Sequence, residues 1–409
     1  MYTLLTALIL LLSPSIAFTA SRLTQTHRGV PRNAMSMTLP AVSKSKILIV
    51  QNKGGGHGEI GYQLCKTLKG LSPTAEVVLL QDECDYKKLP FASYEKDLAE
   101  ALGVKVISEK LASSTPGALL GMKFDYVIDN WSKSVENAAL VMDIAKSSEA
   151  KQHVFISSAG MYKSSGKMPI EETDPVKEND ARKIELAVMK GDVPFTFLRP
   201  QYIYGPKANK RYLDYFIGRA ARKLPIPLPL HGEQLVCISH IEDVCSLIAA
   251  AVGADKALNE VFNCGTNRFI SYKGLSDIIH TTLENDLEAD AKYLFYEPDD
   301  FNHWDGSGAM EFPFRRDTFI INTNKAVTTL GWSPKRSILA DVKEQVSLYK
   351  EAGGLKSHWG LQELRYDLEV IASKDSTFMF TYPFFDSSDI NTESMPYLFQ
   401  SSSEFVERP

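Results

Sequence analysis

The chain has 409 residues, 44% of them hydrophobic and 23% charged, a globular composition that excludes disorder throughout and suffices for one large domain or two smaller ones. With 45 Lys and Arg against 50 Asp and Glu the formal charge is −5, so the surface as a whole does not attract nucleic acid or anionic membrane, and any such contact needs a local patch. The five cysteines, Cys65, Cys84, Cys237, Cys245 and Cys264, form no Cys-x-x-Cys pair and are odd in number, which reads as reduced structural thiols rather than a disulfide framework or a zinc site.

The N-terminus reads as an address. Leu4–Leu12 is an apolar run of nine residues, too short to span a membrane but the right length for a signal-peptide core, and Ser15 and Ala17 offer a cleavage site before Phe18. Residues 18–43 are rich in Ser, Thr, Ala and Arg and lack acids, which is transit-peptide composition. The expected division is therefore a signal peptide over 1–17, a transit-like segment over 18–43, a dinucleotide-binding core over 44–200, a C-terminal lobe with returning core elements over 201–372, and a tail over 373–409.

From Lys46 short apolar runs alternate with helical segments, the pattern of a parallel sheet covered by helices. Strands are predicted at Lys46–Asn52, Ala75–Gln81, Val104–Ser108, Phe124–Asp129, His153–Ser158 and Phe195–Arg199, and helices at Glu59–Leu71, Ser134–Ser147 and Asp180–Lys190. The fold class is α/β, a Rossmann-like doubly wound parallel sheet with a smaller C-terminal substrate-side lobe, which the irregular, proline-rich sequence after residue 200 suggests. The tail, Ser373–Pro409, shows no periodicity and reads as poorly packed or in need of a partner.

The strongest motif follows the first strand. Gly55, Gly58 and Gly61 give G-x-x-G-x-x-G at a helix start, where glycines allow a tight turn and a pyrophosphate can sit on free backbone N–H groups. About twenty residues on, Asp82 ends the second strand, where a carboxylate would bond ribose hydroxyls and disfavour a 2′-phosphate; with Glu83 and Asp85 beside it, a solvated acidic turn is the competing reading.

These segments, with Phe155-Ile-Ser-Ser158-Ala-Gly-Met-Tyr162, Leu198-Arg-Pro200, Ile238-Ser-His240-Ile-Glu-Asp243 and Leu330-Gly-Trp-Ser-Pro334, resemble the extended short-chain dehydrogenase/reductase superfamily of the NAD-dependent epimerase/dehydratase type. The resemblance implies an NAD or NADP cofactor, with Asn130, Ser158 and Pro200 at its crevice beside the glycines. Such enzymes use a Tyr-x-x-x-Lys pair on the helix after the Ser strand, and Pro175–Glu185 contains no tyrosine. The pair Tyr62 and Lys66 lies on the wrong helix, and Tyr162 is a weak substitute, so ordinary hydride chemistry is doubtful.

A closer match is to the chloroplast stem-loop-binding protein family, an atypical branch of that superfamily, through Gly55-Gly-His57, Phe124–Asn130, Phe155–Ser164, Arg199–Tyr202, Val261–Cys264 and Arg365-Tyr-Asp-Leu-Glu369. That resemblance implies structured RNA as the partner, with processing of RNA possible, a link to plastid ribosomes or transcription complexes, and the plastid stroma as location. The leader itself, with Phe18 at the junction, resembles the bipartite leaders of algae with complex plastids.

For RNA the outstanding basic stretch is Lys207, Lys210, Arg211, Arg219, Arg222 and Lys223, interleaved with Tyr212, Tyr215 and Phe216 and expected on a helix over Tyr212–Lys223. Its competing reading is an amphipathic helix whose aromatics pack inward. Arg315 and Arg316 are a shorter alternative, open to a phosphate. No catalytic residue and no metal site is assigned; His303 with Asp299, Asp300 and Asp305 suits a loosely held divalent cation or a plain acidic loop equally. The rival function is an NAD(P)-dependent epimerase, dehydratase or reductase acting on a nucleotide sugar or other small molecule, and a homo-oligomer is left open.

Overall fold

The computed structural model describes residues 42–52, 60–82, 93–111, 117–207, 212–301, 311–356 and 364–374. The leader, Gly55, Gly58, Cys84, Lys210, Arg211, His303, Asp305 and the tail beyond Lys374 lie outside the described residues. The core is a parallel sheet of seven strands: β1 (Lys46–Asn52), β2 (Glu76–Asp82), β3 (Lys105–Ser108), β4 (Tyr126–Asn130), β5 (Gln152–Ile156), β6 (Phe195–Pro200) and, returning from the lobe, the strand Glu260–Cys264. Its order places β3, β2 and β1 to one side and β4, β5, β6 and the returning strand to the other. The chain reverses direction between β1 and β4, and in such sheets the ligand crevice lies beyond the C-terminal ends of that strand pair.

Strand β1 is apolar at consecutive positions because both faces are covered. Ile47 and Ile49 point into one layer with Leu64 and Leu68 of α1 (Ile60–Leu71), while Leu48 and Val50 point into the other with Val141 and Ile144 of α2 (Val135–Ser147). Local caps set the helix starts: the Ser134 side chain accepts from the Asn137 N–H (3.3 Å), and Asn179 accepts from Arg182 (3.1 Å) at the head of α3 (Asp180–Met189). Four strands and all three helices lie within one residue of the expected bounds; β4 begins two residues later, and β5 stops two residues early at Ile156, leaving Ser157 and Ser158 at the crevice.

The lobe begins with β7 (Ile203–Tyr204), α4 (Asp214–Ala221), β8 (Ile226–Pro229), β9 (Leu235–Val236), β10 (Ser239–His240) and α5 (Ile241–Ala251). Helix α5 crosses back to pack on α1 below the sheet, and β11, the returning strand Glu260–Cys264, completes the core. Then follow β12 (Ile270–Ser271), α6 (Tyr272–Thr282), α7 (Leu287–Asp290), β13 (Tyr293–Tyr296), α8 (Asn324–Leu330), α9 (Ile338–Glu351) and α10 (Arg365–Lys374). Among the described residues no helix is long and apolar enough to cross a membrane.

The basic, aromatic stretch takes the competing form, with its aromatics packed inward, and of the cations expected to meet RNA it encloses Arg219. Helix α4 is shorter than expected, and Tyr215 and Phe216 are buried in an aromatic cluster with Tyr272, Phe312 and Phe314. Arg219 is fully buried: Nε and Nη2 grip the Asp367 carboxylate of α10 (2.9 and 2.5 Å), and Nη1 donates to the Tyr215 carbonyl (2.9 Å). Its charge therefore ties α4 to α10 and is closed to a phosphate. Replacing one partner strands the other charge in a dry core, which costs about 3–5 kcal/mol. Arg219→Met and Asp367→Leu are each expected to lower unfolding stability in denaturant titrations by that order, and the double variant by clearly less than the sum. Additive losses would mean that the pair does not act as a unit.

Candidate dinucleotide crevice and nucleic-acid surface

The crevice floor is organised by Gln51, a fully buried polar residue near the end of β1. Its Nε2 donates to Gln81 Oε1 (2.8 Å) on β2 and to the Tyr94 hydroxyl (3.2 Å). Its Oε1 accepts from the Gly61 N–H and, more loosely, from Asn130 Nδ2 on β4 (3.4 Å). One side chain thus links three strand ends to the first turn of α1. A Cβ on Gly61 would stand 2.6 Å from Gln51 Oε1 and 3.0 Å from Leu79 Cδ1, so only glycine lets the helix sit this close to the strands. That is the packing role of the third glycine in a dinucleotide loop, and Gln51 Oε1 holds Gly61 and Asn130 side by side. Asp82 stands at the end of β2, paired in register with Asn52.

Beside Asn130, the Asp129 carboxylate is buried, and its Oδ1 accepts from the N–H groups of Trp131 and Ser132 (2.9 Å each), turning the chain away from the crevice. Ser158 is half-buried past β5, and its Oγ accepts from the Gly160 N–H (3.1 Å). Pro200 is buried at the end of β6, paired with Cys264.

Helix α3 carries no tyrosine and instead sets a buried carboxylate against the end of β5. Glu185 of α3 is fully buried and accepts from Ser157 Oγ (2.8 Å), Arg199 Nε (2.9 Å), Arg199 Nη2 (2.7 Å) and Arg182 Nη1 (3.1 Å). Arg199 Nη1 in turn donates to the Tyr162 hydroxyl (3.0 Å), which donates to Asn263 Oδ1 (2.7 Å) on β11. Burial pushes the Tyr162 phenol up to about 12, outweighing the pull of Arg199. A phenol so held is a structural donor, not a proton shuttle near neutral pH. The other pair, Tyr62 and Lys66, sits on α1 with the Tyr62 hydroxyl donating to Asp97 (2.5 Å). Arg315 does not stand free either: Nη2 donates to the carbonyls of Gly160 (2.7 Å) and Tyr162 (3.1 Å), and the guanidinium lies 3.7 Å over the Phe319 ring. Arg316 pairs with Asp299.

Of the basic residues, Lys207 has a left-handed backbone (φ 59°) and places its ammonium 4.7 Å over the Tyr62 ring and 5.5 Å from the Tyr94 ring. Arg222 is half-buried and donates to the carbonyls of Gly218 (3.0 Å) and Gly354 (2.8 Å) and to the Tyr349 hydroxyl (3.1 Å). Lys223 is paired with Asp290 (2.9 Å). The six residues expected to meet RNA are thus divided: Lys207 over the Tyr62 and Tyr94 rings, Arg219 inside, Arg222 and Lys223 tied down, and Lys210 and Arg211 outside the described residues. Gln51, Tyr94, Glu185 and Asn263 were not singled out. A glutamine in an apolar buried run, and an arginine in the strand Phe195–Pro200, were the available signals.

A model of the NAD dependent epimerase/dehydratase family matches residues 54–265, more than half of the chain, and the chain belongs to that family. Over 339 residues, 79% of this chain and 84% of the relative, it is 26% identical to the chloroplast stem-loop binding protein of 41 kDa b from Arabidopsis thaliana. Among solved structures it is similar to the epimerase Mth375 of Methanothermobacter thermautotrophicus (TM-score 0.58, 19% identity, 77% of this chain and 95% of that one). It is also similar to a UDP-glucuronic acid 4-epimerase of Bacillus cereus solved with NAD (TM-score 0.56, 17% identity, 75% and 99%). At these identities the solved structures establish the fold, and the stem-loop-binding resemblance seen in the sequence extends over most of the chain.

The hinge between core and lobe carries a titratable group. His240 is buried, caps α5 by accepting the Glu242 N–H at Nδ1 (3.2 Å), and is held down to about 4 by burial and then by the nearby Arg336 guanidinium. A histidine depressed below its unfolded value of about 6.5 gives stability that is complete above that pH and is lost as pH falls toward the folded value. The stability advantage of the wild type over His240→Gln is expected to be constant above pH 6.5 and to shrink between 6.5 and about 4. Melting temperatures of the two proteins across that range test it, and an advantage that grows on acidification would contradict it.

Proposed function

We propose that this chain is a plastid RNA-binding protein built on the epimerase/dehydratase fold, which binds structured RNA and retains a dinucleotide crevice for a structural or regulatory ligand. The observation that carries the reading is the Tyr162 phenol, locked between Arg199 and Asn263 in a crevice whose α3 helix offers no tyrosine. The fold is kept, while the phenol at this crevice is tied into structure instead of being left to carry the proton exchange that accompanies hydride transfer. The named relative binds a chloroplast stem-loop, and the resemblance spans most of both chains. The chloroplast designation of that relative and the acid-free leader both support import into a plastid.

The residues present fit an NAD-type dinucleotide. The close seat of Gly61 on Gln51 is the packing that a pyrophosphate loop needs; the sequence spacing assigns Gly55 and Gly58, outside the described residues, to the same loop, Asp82 to the ribose contact, and Asn130, Ser158 and Pro200 to the far side of the crevice. NAD would bring redox chemistry in an ordinary family member; here the chain's residues bind and orient it. RNA phosphates fall to Lys207, Lys210 and Arg211, with Arg222 and Lys223 as peripheral contacts once their partners are exchanged. Processing of the RNA would call on a divalent cation, and a link to ribosomes or transcription complexes belongs to the same reading. The family's small-molecule chemistry is the second reading, favoured by Ser158 standing at the crevice.

The test is binding of residues 44–409 to a labelled stem-loop RNA across a salt series, beside the variant with Lys207, Lys210 and Arg211 changed to Gln. Sub-micromolar binding that weakens with salt, and falls at least about tenfold with a shallower salt slope in the variant, is expected. Absence of binding at low salt overturns the RNA reading and directs the search to small-molecule substrates.

A further inference from the structure

Lys207 belongs to the lobe, following β7, yet its ammonium rests on two rings of the core, Tyr62 on α1 and Tyr94 ahead of the turn Glu95–Glu100. The two rings are 5.1 Å apart, and each is fixed from behind: Tyr62 by its hydroxyl on Asp97 (2.5 Å), Tyr94 by Gln51 Nε2 (3.2 Å). Gln51 is the same side chain that receives the Gly61 N–H and Asn130 Nδ2. A continuous set of contacts therefore runs from the crevice floor through Gln51 and Tyr94 to the lobe's ammonium. A second branch runs from Gly61 to its neighbour Tyr62 in the first turn of α1. A cation over aromatic faces is attracted by the ring quadrupole, the more so as water is excluded, and such a contact couples two sites if a ligand alters the platform.

We infer that the Tyr62–Tyr94–Lys207 contact is a clasp through which dinucleotide and RNA oppose one another. The inference rests on the RNA reading above. A dinucleotide seated on the first turn of α1 steadies Tyr62 and the Gln51 contacts, and so holds Lys207 on the rings. RNA draws the same ammonium to a phosphate. Each ligand then weakens the other by the same factor, as linkage requires. The rings serve as the alternative partner of one cation, so they matter to the coupling and not to either site alone.

The experiment measures stem-loop RNA affinity with and without saturating NAD, and NAD affinity by calorimetry, for wild type, Lys207→Ala, Tyr62→Phe and Tyr62→Leu. NAD is expected to weaken RNA binding about fivefold or more in the wild type and in Tyr62→Phe, which keeps the ring. The factor is expected to fall below about twofold in Lys207→Ala, whose RNA affinity is itself lowered by the loss of a phosphate contact, and in Tyr62→Leu, the ratio of affinities with and without NAD being the readout in each. Lys207 is half-exposed, so its alanine variant retains the fold even if Tyr62→Leu does not. A wild type that binds both ligands without mutual effect, or an undiminished effect in Lys207→Ala, overturns the clasp while leaving the RNA reading intact. A wild type that binds NAD but no RNA overturns both, and one that binds RNA but not NAD overturns the clasp alone.

Discussion

The buried pair of Glu185 and Arg199 is the interaction on which the chemistry of this crevice depends. Glu185 is fully enclosed and Arg199 nearly so, and each satisfies the other along two bonds. Two charges out of water are tolerable only when every remaining donor and acceptor is met, and here the remainder is met by Ser157, Arg182, the Glu172 carbonyl and the Tyr162 hydroxyl. The phenol is thereby committed to structure. With it the loop after β5 is fixed across to Asn263 on β11, so the edge of the sheet, the crevice wall and the tying-down of Tyr162 have one cause.

A second buried arginine shapes the lobe in the same way. Arg219 joins α4 to α10 through Asp367, with its guanidinium 3.7 Å from the Tyr215 ring. Around it the rings of Phe216, Tyr272, Phe312 and Phe314 fill the lobe's core. A lobe closed by aromatic packing and one ion pair brings α10 against β8 and β13. Functionally, this leaves the start of the basic stretch, at Lys207, facing the crevice instead of a free helical surface.

The core was legible because its signals are local and repeated. Apolar runs of five to seven residues bounded by turns mark strands covered on both faces, and Ser134 and Asn179 mark helix starts. The glycine spacing was legible for a similar reason: Gly61 answers to a steric demand that any side chain would violate. The polar floor was not, because Gln51, Glu185 and Asn263 find most of their partners far along the chain, up to 101 residues away. Nor was the fate of the basic stretch, since a cation at helical spacing reads the same in sequence whether its carboxylate is water-separated or, like Asp367, 148 residues on and enclosed with it. The interleaved aromatics were the better guide there: rings at successive helical positions report burial more often than stacking on a ligand.

Burial holds the Tyr162 phenol at this crevice protonated through neutral pH. Ring-labelled tyrosine NMR over a pH series, with the Tyr162 resonance assigned through Tyr162→Phe, measures this directly. The account predicts that the Tyr162 signal holds its protonated position through neutral and mildly alkaline pH and moves only toward about 12. A Tyr162 midpoint near 7, above all one that shifts when NAD is added, would show an acid–base phenol in the crevice and return the protein to the reactive members of its family.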